Sequence, residues 1–404
     1  MKKFLIIFFL IFVPFFVFAS GKAEKKNPLD RSFEIGLLNI DFNFANSFLT
    51  IKDVLQEVII IDLDKLSDGF KINFGLNVVP LYIKINSKKG WGVGLSAGVS
   101  AFGVINLSGN MLSLSEAIKD NSDVGGAAFS SFTLNTFYDV KKLKIKFNPS
   151  LYTTLLYVAP PGSMTSSVIY TLDYSNGTVM NIDYASRVYV GYSLEDKFSI
   201  TSNPGLDFSI GMEYPLTKEI GLTDILPILD FDVALDIINI SFIPSTLTDY
   251  IQVKGRIGKD TPIKLINKDD DDDSDFFSSD GMVDGNRVVK VSRPFRMLAR
   301  ADWRPLFGSK FLTVSPVIGF CYSEFYYKPF SFEGGLNACL NLGNFFLLKA
   351  GLNYIDRMFV NNLGVVLNSK LFEVDIGLDL RSQEISQLWK GSGFGISFGF
   401  KFGW

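Results

Sequence analysis

The stretch GFGISFGFKFGW, residues 393–404, alternates without a break. Phe394, Ile396, Phe398, Phe400, Phe402 and Trp404 fall on one face, and Gly393, Gly395, Ser397, Gly399, Lys401 and Gly403 on the other. Successive side chains of a strand point to opposite sides, so the segment predicts a strand with one apolar, largely aromatic face. In a sandwich that face would point into a core. The opposite face would then carry bulkier polar groups than four glycines.

Working outward from this strand, the same period recurs along the chain. Phe372, Val374, Ile376, Leu378 and Leu380 alternate with Glu373, Asp375, Gly377, Asp379 and Arg381; Trp91, Val93, Leu95, Ala97 and Val99 alternate with Gly92, Gly94, Ser96, Gly98 and Ser100. Sixteen segments qualify: 33–44, 70–86, 91–100, 128–139, 143–157, 167–175, 178–192, 205–214, 228–241, 293–304, 311–322, 331–342, 345–355, 360–369, 372–381 and 393–404. The links between them alternate in length. Most even-to-odd links are short, such as Lys141–Lys142 and Gly343–Asn344, whereas the odd-to-even links are long. An even strand number with short turns at one end and long loops at the other is the pattern of a transmembrane barrel. The expected fold is therefore all-β, a closed antiparallel transmembrane barrel of sixteen strands. Fourteen is the alternative, because the pair around Asn176-Gly177 fits a hairpin standing beyond the membrane and the first strand fits a plug.

Composition agrees with that reading. Mean hydropathy is +0.23, with 39 Phe, 15 Tyr and 35 Gly, yet after the first residues no stretch reaches 18 uninterrupted apolar positions. Dispersed hydrophobicity suits strands with one face in lipid, not spanning helices. Lys2 and Lys3 precede an apolar run from Phe4 to Phe18, and Val17 and Ala19 suit cleavage, so residues 1–19 read as a secretory signal peptide. Its removal takes the formal charge from -3 to -5 by loss of those two lysines, which argues against a nucleic-acid partner. Residues 20–32 are then a periplasmic N-terminal segment and 33–404 the barrel, with a long acidic extracellular loop at 242–292. Short helices are expected in N-terminal extracellular loops or a plug. Thr50 to Val58 is one candidate, and Ser113 to Asp120, which opens on a Ser113-x-x-Glu116 capping box, is the other.

The side of the strands opposite the lipid carries the candidate chemistry. Asp230, Asp232 and Asp236 alternate with Leu229, Phe231, Val233, Leu235 and Ile237; Arg296, Arg300 and Arg304 alternate with Phe295, Met297, Ala299, Ala301 and Trp303. If these strands are neighbours, acidic and basic ladders face each other along the lumen wall. They serve either as selectivity groups for solutes or as an ion-pair network bracing the wall. The chain has no histidine, which removes His-based triads and His-ligated metal sites, and no enzyme activity, cofactor or metal is expected. The run Asp269 to Asp273 sits in the longest loop and lacks the Gly and Glu of a calcium-binding loop, so it reads as a solvated loop tip. Cys321 and Cys339 are expected as separate lumen residues, since a hairpin centred near Tyr326 places Cys321 opposite about residue 331. Phe325, Tyr326 and Tyr327 lie near strand ends and suit an interfacial aromatic girdle.

As a class, the chain resembles bacterial outer-membrane β-barrels, on the signal segment, the alternating strands and the C-terminal aromatic strand. That resemblance implies that Phe394, Phe398, Phe402 and Trp404 are read by the barrel-assembly machinery. It also implies outer-membrane lipid as surroundings. In total size and in the helical insertions at Thr50 to Val58 and Ser113 to Asp120, the chain is similar to the long-chain fatty-acid transporter family. That family implies fourteen strands, a lumen plug and uptake of hydrophobic compounds. The chain departs from it in lacking a long helical segment before the first strand and in the charged faces at 228–241 and 293–304. The expected function is passage of small-molecule solutes through the lumen. The alternatives are uptake of a hydrophobic ligand past helices bearing Phe48, Ile51, Leu55 and Ile59, and surface interaction or adhesion through Phe242 to Ser292.

Overall fold

The computed structural model describes residues 31–47, 70–107, 123–158, 169–173, 179–193, 199–226, 228–257, 278–279, 288–306, 311–326, 329–390 and 392–404. The signal segment, both expected N-terminal helices and the Asp269 to Asp273 run lie outside these residues.

Fourteen of the described strands close into one antiparallel barrel. They are β1 (Phe33–Asn46), β2 (Phe70–Asn86), β3 (Trp91–Leu107), β4 (Asp123–Val140), β5 (Leu143–Val158), β6 (Gly205–Tyr214), β7 (Phe231–Ile243), β8 (Phe295–Trp303), β9 (Leu312–Tyr322), β10 (Phe330–Leu342), β11 (Phe346–Ile355), β12 (Met358–Asn368), β13 (Phe372–Ser382) and β14 (Gly393–Gly403). Each pairs with the next in sequence, and β14 returns to β1. Closure leaves no strand edge unpaired, the condition for backbone amides to lie in lipid. At the seam the Trp404 carbonyl accepts from the amides of Ser32 and Phe33, at 2.7 and 3.1 Å. Arg31 locks the same corner, donating to Asn368 Oδ1 and the Ser369 carbonyl, both at 2.7 Å, with Glu373 3.4 Å away.

The expected count of sixteen is corrected to fourteen, the alternative. Segments 169–173 and 179–190 form a hairpin, but only its end touches the wall, through Leu156 to Val158 of β5. Below that point β5 is paired from Tyr152 to Lys144 with β6. The hairpin continues outward instead, pairing with 250–257, which pairs with 278–279. The short helices among the described residues lie elsewhere than expected, at Leu216–Glu219 and Leu222–Ile225 between β6 and β7, with a 3-10 turn at Ile385–Lys390.

The alternation places one apolar set outside. Phe132, Ile318, Leu336, Leu363 and Leu378 are each more than half exposed, as are many neighbours on the same surface. In water such a belt costs about 25 cal/mol for each Å²; in a bilayer it is at home. The inner face carries glycines, amides, hydroxyls and charges. Tight turns link strands at one end. Gly343 and Asn344, at φ 68° and 63°, make a two-residue left-handed turn whose twist matches the flanking strands. At the other, long-loop end, Asp356 and Arg357 adopt the same left-handed conformation without a glycine, at φ 51° and 64°.

Candidate functional site

The inner wall of β7 and β8 carries the charges singled out in the sequence. Register sets Asp232 opposite Asp302 and Ala234 opposite Arg300, so like charges would repel across the pair. Two arginines relieve this, one across the strand pair and one along β8. Arg304 donates to Asp230 at 3.0 Å and also to Asp232, and Arg300 lies 3.0 Å from Asp302. Asp230 is fully buried, so its charge depends on Arg304 and on Lys218 at 4.0 Å. Asp236 rests against Gly211 and makes no ion pair among the described residues. Arg296 belongs to a different group. It binds Asp356, the left-handed turn residue, and lies 3.9 Å from buried Glu333. Thus Arg300 and Arg304 face the acidic ladder, whereas Arg296 is turned toward β10 and the β11–β12 turn.

Next to Arg296, the Cys321 Sγ and the carboxylates of Glu333 and Asp356 fall within 4.8 Å of one another. Their spacing admits a cation, but the guanidinium already takes both carboxylates. Cys321 is paired in register with Ser331 and Cys339 with Thr313; both thiols are free, as the spacing implied.

A second arrangement, not anticipated from the sequence, fills the long-loop end of the lumen. Phe102 of β3, Phe129 of β4 and Tyr152 of β5 lie on inner faces and converge there. Phe325, from the β9–β10 connection, reaches four to six strands around the barrel to join them and is wholly buried. Its ring meets Tyr157 and Phe102 edge-on at 5.6 and 4.7 Å. Phe325 therefore does not belong to an interfacial girdle: the inner wall offers its ring more apolar contact than the rim does. Tyr327 lies outside the described residues. The close approach is made possible by Gly125, where a Cβ would come 2.6 Å from the Phe325 carbonyl.

Other connections lie on the same cluster. A small ladder of 245–247 with 289–291 sets Leu247 and Val291 into it, and the Tyr152 hydroxyl donates to the Val291 carbonyl at 3.1 Å. Arg293 anchors the ladder through a bidentate pair with buried Asp207, at 2.7 and 2.5 Å. Glu324 accepts from the Ser292 amide at 3.0 Å, and Arg357 lies 4.2 Å over the Tyr326 ring. Burial raises the Glu324 carboxyl above its ordinary pKa, in the connection outside the strands, although the Ser292 amide favours its charged form. The arrangement is a set of connections folded inward over a polar lumen.

No protein-family model and no curated protein matches the chain. Among solved structures it is similar to the Ralstonia pickettii toluene transporter TbuX, at 9% identity and a TM-score of 0.45 over 94% of this chain and 92% of that one. The P. putida toluene transporter TodX gives 11% and 0.47 over 93% and 91%, and the translocator domain of the Neisseria meningitidis autotransporter NalP gives 6% and 0.35 over 100% and 96%. At such identities and scores none of them bears on what this barrel carries.

Proposed function

We propose that this chain is an outer-membrane channel that passes small polar molecules through its lumen. The observation that carries the reading is the composition of the inner wall. The apolar clusters among the described residues sit at the long-loop end, and below them the wall is lined by groups such as Lys146, Glu213, Arg300, Lys349 and Asp375. Charged side chains directed inward in a fourteen-stranded barrel suit water and polar solutes rather than a packed core. The apolar exterior supports placement in a bilayer, with the long connections outward and the short turns facing the periplasm. The test is reconstitution of the full barrel in planar bilayers: discrete conductance steps are expected, and a folded barrel that passes neither ions nor sugars overturns the reading.

A second reading, uptake of hydrophobic compounds, is favoured by the aromatic cluster at the long-loop end. Liposome uptake assays separate the two, since a polar channel admits sugars and excludes neutral apolar solutes.

A further inference from the structure

Near the short-turn end, one band of the inner wall runs from β2 to β8. Its successive register partners are Lys84 with Gly94, Gly92 with Phe137, Phe137 with Lys146, Lys144 with Glu213, and Ala234 with Arg300. Lys84 also faces Glu34 directly across the β1–β2 pair. The expected ion pair between them does not form. Glu34 instead accepts from the Tyr82 hydroxyl and from Asn86 Nδ2 at 3.4 Å, while Lys84 leans the other way, across β3. Gly92 and Gly94 leave that path bare; a Cβ on Gly94 would meet the Lys84 Cβ at 3.2 Å.

The Lys84 ammonium ends 5.2 Å from the centre of the Phe137 ring, and the Lys144 ammonium reaches the same ring from the other side of the band, at 4.8 Å. A phenyl ring attracts one cation modestly. Two cations over one ring repel each other, so negative charge between or beside them favours the pair. The protein supplies part of the compensation: Glu34 stands opposite Lys84 across the β1–β2 pair, and Asp139 opposite Lys144 across the β4–β5 pair. Glu213 binds Lys146 and lies 3.9 Å from both Lys144 and Arg300, so one carboxylate is shared among three cations. Lys84 has no ion-pair partner among the described residues.

We propose that Lys84 and Lys144, gathered over Phe137, form a subsite for the carboxylate or phosphate group of a small anion crossing the lumen. The subsite deepens the channel reading and rests on it. Each ammonium donates to the anion's oxygens, Phe137 holds the two donors at one level of the wall, and the glycines of β3 keep the approach open. A mobile anion there adds to the negative charge that Glu34, Asp139 and Glu213 set against Lys84, Lys144, Lys146 and Arg300.

The test uses the purified full barrel in planar bilayers under a KCl gradient, with acetate and inorganic phosphate added as separate probes. A reversal potential favouring chloride is expected, with saturable block by one or both probes. Block by acetate alone marks a carboxylate site and block by phosphate alone a phosphate site. Lys84→Gln and Lys144→Gln are each expected to weaken block about fivefold, the scale of one charge at contact in wet surroundings. Lys84→Arg, which keeps the charge, is expected to retain it. A conducting pore whose selectivity and block are unchanged in the double glutamine variant overturns the subsite and leaves the channel standing. A folded barrel without conductance overturns the channel reading, and calorimetric titration of the detergent-solubilised barrel with the same probes then decides the subsite: heat lost in the double variant supports it, and no heat from either probe overturns it.

Discussion

Phe325 meets Phe102 edge-on, ring centroids 4.7 Å apart, although one comes from the β9–β10 connection and the other from β3, on a different part of the barrel wall. The contact ties a loop to a strand six places away in the order of the wall, so it spans the lumen mouth instead of following the wall.

Removing that ring tests whether the mouth is held shut by it. Phe325→Ala deletes a wholly buried aromatic side chain, a change that costs about 3–5 kcal/mol where the site does not collapse. Faster amide exchange across residues 323–326 and a larger conducting fraction in bilayers are expected. Phe332→Ala, on the exposed outer face of β10, serves as the comparison and leaves both unchanged.

Gly125→Ala attacks the same closure from the wall. Its Cβ would meet a backbone carbonyl, not the yielding end of a side chain, so the loop must move. A loss of about 1–3 kcal/mol from loop docking is expected, read as increased proteolysis at the β9–β10 connection with the barrel itself still folded.

The loop's hold also depends on pH. Burial raises the Glu324 pKa, so the docked loop binds that proton more tightly than the opened loop does. Docking is therefore strongest below the ordinary carboxylate value and weakens as pH rises through the raised one. Amide exchange at 323–326 should accelerate over that interval, and Glu324→Gln should flatten the profile.

Along β7 and β8, the pairs differ in what they support. Arg304→Gln leaves fully buried Asp230 with only the distant Lys218, and about 3–5 kcal/mol of barrel stability is expected to go with it. The measure is the temperature at which the folded band is lost in semi-native electrophoresis. Arg300→Gln removes a half-exposed charge from the lumen and should shift ion selectivity with little change in that temperature.

How far the sequence reveals this structure depends on which interaction decides each feature. Alternation is local, so Gly393 to Trp404 and its counterparts are legible residue by residue. Strand number is not, because 169–173 and 179–190 alternate like wall strands. What excludes them is the pairing of β5 with β6, a contact between segments more than fifty residues apart. Link-length parity was blind to the difference, since removing two adjacent strands preserves it. The acidic and basic ladders at Asp230, Asp232, Arg300 and Arg304 were legible from period and adjacency. The orientation of Arg296 was not, because Asp356 and Glu333 approach it from strands further along the wall. For the aromatic cluster a partial signal existed: Phe102, Phe129 and Tyr152 are large aromatic residues on mostly small or polar inner faces, each in the half of its strand nearer the long loops, although Phe137 breaks the same pattern elsewhere. The arrival of Phe325 depends on how a seven-residue connection folds, which no periodicity records.

The seam between β1 and β14 also decides whether the wall has free edges. The groups that join Phe33 to Trp404, and Arg31 to Asn368 and Ser369, are separated in the chain by nearly the whole barrel. All the other wall pairings join strands adjacent in the chain, whereas this seam joins its first and last strands. A chain interrupted anywhere before β14 keeps two exposed edges, ready to pair with whatever strand is nearest. A barrel without β14 leaves the facing edges of β1 and β13 unpaired, so the closing strand is what makes the wall inert toward other chains.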